Sequence, residues 1–240
     1  MKIVKHSFHT GHQFGVNHAD HVQHFLPKDY APLSTLSKDI VSIRKGAIFT
    51  KCPAVTDFFK NTWVFRSPVD LNIDIQVNDN YSKVYCDNVD QEFFDLMIDI
   101  RFLNDSEKGI SPYPLIGIDF LNTFTCDESL TIQALPAFLH YSDFISKATI
   151  IPGEYDISKW VRPVEIVFET KNKHERIEIK KGDALCYYKF LTSDMVKLTQ
   201  DETPWVEIIA CNNIRKNDLF RPLKERYEGF KKWREDNQKD

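Results

Sequence analysis

Six of the eight histidines stand within the first 24 residues, at steps of three: His6, His9 and His12, then His18, His21 and His24. Imidazoles at that density point to metal binding or pH sensing, because neutral imidazole is a metal ligand and its charge changes near neutral pH. Two metal chemistries are spelled there. His18 and Asp20, with His140 far downstream, supply the two-His, one-carboxylate set of a non-haem iron oxygenase. The usual order for such a set places the pair on a core strand, whereas here the pair precedes the period-two pattern that follows residue 47. His174 is the weaker third ligand, since it lies in the charged turn Asn172–Arg176. Alternatively, Asp20, His21 and His24 share one helical turn, and with His12 or His18 folded back they form a tetrahedral zinc set. Against both stands a solvated polar face, because histidines without orienting partners bind metal weakly.

Thiol chemistry has one candidate. Cys52 precedes Pro53 at the start of a short helix expected to run through Lys60. A helix N-terminus lowers a thiol pKa, although a nucleophile also needs a His and an orienting group. The other reading of Cys52 is a capping or buried residue. The five cysteines are odd in number and include no CxxC, so all are expected to be reduced thiols in a cytosolic setting.

These residues need elements to hold them. The chain of 240 residues is long enough for one all-β domain with a large core. Eighteen Phe against eight Gly favour a packed interior over Gly-rich nucleotide loops. A net charge of −4 gives no global basic field for nucleic acid or an anionic membrane. The short basic runs Lys171–Arg176, Lys180-Lys181 and Arg215-Lys216 read as solvated turns. No apolar run reaches the length of a membrane span, and the N-terminus does not read as a signal peptide.

Leu71, Ile73, Ile75 and Val77 alternate with polar residues, as does the run from Phe94 to Phe102, which marks half-buried strands. Further strands are expected at Trp63–Arg66, Lys83–Cys86, Leu115–Cys126, Leu130–Leu135, Ala148–Ile151, Val164–Glu169, Arg176–Ile179, Ala184–Leu191 and Trp205–Ala210. Leu71, Ile73, Ile75, Val77, Ile98, Ile100, Ile118, Val164, Ile166 and Phe168 are the expected inward residues. Many short strands separated by turn signals predict a mainly all-β, antiparallel sandwich of jelly-roll or double-stranded β-helix type, with short N-terminal helices. Residues 1–46 read as a His-rich arm that contacts a neighbouring surface, 47–212 as the β-sandwich core, and 213–240 as a C-terminal helix. In that helix Leu223, Tyr227, Phe230 and Trp233 form an apolar stripe packed on the core.

Three stretches resemble an uncharacterised family of tailed bacteriophages, especially marine and cyanobacterial ones, with distant bacterial relatives. They are Cys52–Trp63 followed by Ser67–Leu71, then Pro114–Phe124, and Ile179–Leu185. The resemblance covers residues 47–192 and leaves out the histidine head. It implies a cupin-like fold and a viral context, and it supplies no catalytic residues. A cupin metal site would need a His pair near Gly182-Asp183, where none stands.

The expected function is therefore that of a non-enzymatic phage β-jelly-roll protein acting by assembly or binding. It would be a virion component or a host-interaction factor, placed in the virion or the host cytoplasm. Its partner would be a protein or a second copy, with no nucleic acid and no membrane. The alternative is a metal-dependent, non-haem iron oxygenase of cupin type, with zinc or iron at the histidine cluster.

Overall fold

Alternating apolar residues need a surface to bury against, and strands distant in sequence provide it. In the computed structural model the described residues are 1–8, 30–32, 52–78, 81–91, 94, 98–101, 115–200, 205–217 and 222–237. The strands are β1 (Lys2–Phe8), β2 (Tyr30–Pro32), β3 (Thr62–Arg66), β4 (Leu71–Asn78), β5 (Tyr81–Cys86), β6 (Ile98–Arg101) and β7 (Leu115–Thr125). They continue with β8 (Thr131–Pro136), β9 (Ala148–Ile150), β10 (Gly153–Asp156), β11 (Pro163–Thr170), β12 (His174–Ile179), β13 (Ala184–Leu191) and β14 (Val196–Gln200). The helices are α1 (Pro53–Phe59), α2 (Asp143–Lys147), α3 (Trp205–Asn217) and α4 (Leu223–Asn237).

The protein is a mostly β sandwich, and its described residues form three sheets. The first runs β14-β1-β7-β11-β9, with β6 also beside β7. The second runs β10-β8-β13-β3-β2, and the third β12-β4-β5. All pairings among the described residues are antiparallel except β1 with β14, which is parallel and departs from the purely antiparallel expectation. The chain repeatedly changes sheet. The Pro152-Gly153 turn carries it from β9 in the first to β10 in the second, and Lys180–Asp183 from β12 in the third to β13 in the second.

One apolar core joins the three sheets. Leu71, Ile73, Ile75, Val77, Ile118, Val164, Ile166 and Phe168 are all buried in it, as their period-two spacing requires. Its centre is a run of rings that links the first two sheets. Phe120 meets Phe65 at 5.3 Å between centroids, and Phe65 meets Tyr188 at 5.9 Å. Tyr188 meets Phe124 at 5.5 Å, and Phe124 meets Phe190 at 5.8 Å. Phe120 and Phe124 come from β7, Phe65 from β3, and Tyr188 and Phe190 from β13. β13 is buried on both faces, because Tyr187 points outward into a second cluster with Phe59, Val64, Ala137 and Ala184. α1 and the loop after β8 cover that outer face.

Three local readings differ from the structure. Lys2–Phe8, expected in the arm, forms β1 between β14 and β7, with Val4 fully buried. Trp205–Ala210, expected as a strand, is the first half of α3. Its apolar run is rich in β-branched residues, yet Ile208, Cys211 and Ile214 recur at three-residue steps and pack on α4, which favours a helix. The strand expected from Phe94 begins at Ile98, and the Phe94 amide donates to the Asp90 carbonyl at 2.9 Å in a helical turn.

Phe124 is fully buried and Phe138 is 55 % exposed. Phe124→Ala is expected to cost about 3–5 kcal/mol. Phe138→Ala, which removes ring contacts to Phe58 and Tyr187, is expected to cost about 1 kcal/mol. Urea unfolding of the two variants checks both figures.

Candidate functional site

The described candidate residues sit on the cover of the second sheet. His140 follows β8 in the loop that packs against outward-facing Tyr187. The Tyr187 hydroxyl accepts from the Leu139 amide at 3.1 Å and lies 2.7 Å from His140 Nδ1. This bond occupies Nδ1 and leaves the ring's second nitrogen, Nε2, to its surroundings. That Nε2 is buried and has no hydrogen-bond partner among the described residues. Burial first, and the Arg66 charge second, hold the ring well below its ordinary pKa, at about 4. Burial pushes the Tyr187 phenol up to about 12. The pair is thus a neutral hydrogen-bonded unit that fixes the 137–141 loop to the sheet. His18, Asp20, His21 and His24, the residues expected to share a metal with His140, lie outside the described residues. So do His9 and His12, whereas His6 stands in β1, in register with Phe124 and Gln200. Among the described residues no three of His, Cys, Asp and Glu cluster as metal ligands.

Cys52 occupies the N-cap position of α1, with Pro53 in the first turn, and its side chain makes no capping bond. It is exposed, whereas Cys86, Cys126, Cys186 and Cys211 are buried, and all five are free thiols. Burial pushes Cys186 and Cys211 up to about 12. Reactivity needs thiolate and access, so the buried thiols are inert. A maleimide is expected to modify the native protein once, at Cys52, and the unfolded protein five times. Mass spectrometry of Cys52→Ser should then show no native labelling.

A second site lies where α4 meets the β10–β11 connection. Asp156 closes the turn at the end of β10. Its carboxylate accepts from Ser129 Oγ at 2.7 Å, from Ser158 Oγ at 2.6 Å and from the Ser158 amide at 2.9 Å. Lys159 Nζ lies 2.7 Å from it. Burial alone would raise this carboxyl, but the bonds from Lys159, Ser158 and Ser129 outweigh burial and hold it far below its usual range. The Asp156 amide donates to the Tyr227 hydroxyl of α4 at 2.9 Å. Further along α4, Arg234 bonds Glu207 of α3 at 2.6 Å and stacks its guanidinium 4.6 Å over Phe230. Phe230 packs in turn on Trp160, Val161 and Cys211.

These fastenings leave a cleft of about 420 Å³ beside the helix. Ser158 and Lys159 form one wall. Lys224, Tyr227, Glu228, Phe230, Lys231 and Arg234 form the other wall and the floor. The volume falls in the range of small-ligand and side-chain pockets, about 300–1,000 Å³. The floor is aromatic and the rim is cationic. The helical stripe was legible in sequence, but the opposing wall comes from a turn more than sixty residues earlier, which no local pattern announces. Comparison with family models, curated proteins and solved structures finds no match, and the sites are read from their geometry.

Both Asp156 and His140 couple stability to pH with the same sign. Their folded pKa values lie below the unfolded ones, so acidification favours the unfolded chain. The His140 contribution is present above about pH 6.5 and is lost as pH falls toward 4. It is on the order of 1–2 kcal/mol for a ring partly screened by solvent. The Asp156 contribution is lost below about pH 4. Thermal melts between pH 7.5 and 3 should therefore show two phases of destabilisation. His140→Gln is expected to flatten the upper phase, and Asp156→Asn to lower stability at pH 7.5 and flatten the lower phase.

Proposed function

We propose that the protein works by binding, as a non-enzymatic jelly-roll-type component of a tailed bacteriophage, in the virion or on a host protein. The observation that carries this reading is the filled interior. In a cupin-type oxygenase the metal and substrate sit between the sheets, inside the barrel. Here that space holds Phe65, Phe120, Phe124, Tyr188 and Phe190, each no more than 1 % exposed. Recognition is thereby confined to the outer surface, where the structure offers the α4 cleft and the exposed rings of Phe138 and Tyr141. His140 fits the same reading, because its Nδ1 is engaged by Tyr187 and its Nε2 is enclosed. The resemblance of residues 47–192 to a tailed-phage family supports the viral setting. No described helix is long and apolar enough to cross a membrane.

Untagged protein isolated from infected cells tests the reading. The expected result is recovery of the chain in a stoichiometric complex, either in the particle or with one host protein, without stoichiometric iron. A free monomer carrying one iron and stabilised by 2-oxoglutarate would overturn it in favour of the oxygenase.

A further inference from the structure

The α4 cleft has the form of a groove with charge at both ends. Lys224 and Lys231 stand seven residues apart on one face of α4, a separation of about 10 Å along the axis. The groove continues to Arg234, about 15 Å from Lys224. That length matches four to five residues of extended chain at about 3.3 Å each, more than a compact small molecule needs.

The cations along the groove are not equivalent. Lys159 is held by Asp156 at 2.7 Å, and Arg234 by Glu207 at 2.6 Å, so both are already neutralised. Lys231 has only a loose partner, Glu235 at 3.7 Å, with both side chains well exposed. Such a pair contributes little and exchanges easily. Lys224 has no ion pair among the described residues. Two available positive charges therefore flank the half-buried ring of Tyr227, beneath which Phe230 is fully buried. Glu228 lies between them, one helical turn from each, and opposes a negative ligand at the centre.

We infer that the groove along α4 binds an extended acidic peptide segment of a partner protein, with two carboxylates about four residues apart on one face of the segment reaching Lys224 and Lys231 and an apolar side chain midway between them on Tyr227. The inference rests on the binding reading above and names the chemistry of the partner. The central position takes an apolar residue because Glu228 repels a third acid there. Charge on the groove governs encounter and register, and the aromatic floor holds the segment in place.

Fluorescence anisotropy with a labelled peptide tests this, using two glutamates four residues apart with phenylalanine midway between them. The full-length protein is expected to bind it with micromolar affinity, and binding should weaken several-fold as salt rises past the point where the screening length falls below about 8 Å. Lys224→Glu with Lys231→Glu should weaken binding by at least about tenfold, and Glu228→Gln should strengthen it about two- to threefold. All three positions are exposed. Unchanged circular dichroism and melting temperature therefore certify that the fold is intact in each variant. Equal binding of a peptide with glutamine in place of glutamate would overturn the inference. So would wild-type affinity in the double charge reversal, or Lys224- and Lys231-dependent binding to phosphatidylserine vesicles without peptide binding. The two proposals fail separately. A stoichiometric complex from infected cells that survives the double reversal sinks the groove and leaves the binding reading standing, and a lone monomer with iron sinks the binding reading itself.

Discussion

The run of rings between β7, β3 and β13 is the constraint on which the other features depend. Edge-to-face pairs contribute about 0.5–1.5 kcal/mol each beyond the area they bury. They also set the spacing and register of the first two sheets, because each ring fits only between its two neighbours. Once Phe120, Phe65, Tyr188, Phe124 and Phe190 interlock, the strands that carry them cannot slide by one residue without turning every ring outward. The same packing removes the interior as a place for chemistry. The space between these two sheets is closed, and the polar groups are used at seams and edges.

One such seam joins Ser67–Leu71 to Ile179–Leu185. Ser67 donates its amide to the Asp183 carbonyl at 2.8 Å, and Gly182 returns a bond to the Ser67 carbonyl at 2.7 Å. The Lys181 amide donates to the Asp70 carboxylate at 2.7 Å, and Arg66 reaches the Gly182 carbonyl at 2.8 Å. Gly182 has a φ of +92°, a conformation that favours glycine, and Asp183 accepts from the Lys180 amide at 2.9 Å within the same turn. Asn61, from the first stretch, donates to the Thr192 and Asp194 carbonyls and accepts from Val196, which ties α1 to the β13–β14 connection. The quoted residues are therefore structural joints.

What the sequence made legible follows the same physics. Strands buried on one face, such as β4, carry their period in adjacent residues and can be read locally. The β1 strand cannot, because its support comes from β7 and β14, more than a hundred residues away, and its pattern lies under the three-residue histidine repeat. The start of α3 reads as a strand because Val206, Ile208 and Ile209 are β-branched and satisfy a strand and a helix equally until the packed set Ile208, Cys211 and Ile214 is known. At the candidate sites, His140 was visible as a histidine beside an aromatic, but its partner Tyr187 is 47 residues downstream. The groove was half visible: α4 announced its aromatic stripe and its lysines, and nothing in the chain around them announced Ser158 and Lys159.

The groove stays open because of how α4 is attached. A helix with one apolar stripe normally seats that stripe flush on its own core and leaves no space beneath. Here Phe230 alone is fully buried, while Tyr227 and Arg234 reach sideways to Asp156, Ser158 and Glu207. These polar bonds hold the helix at two points and set its distance from the turn. The turn is rigid in its own right, since the Asp156 carboxylate takes donors from Ser129, Ser158 and Lys159 at once. Two rigid walls joined by directional bonds preserve a gap that apolar packing alone would close. The charges inside those bonds are already satisfied, so the attraction left for a partner comes from the lysines outside them. The same polar contacts that fasten the helix thus determine which of its cations remain free to recognise something else.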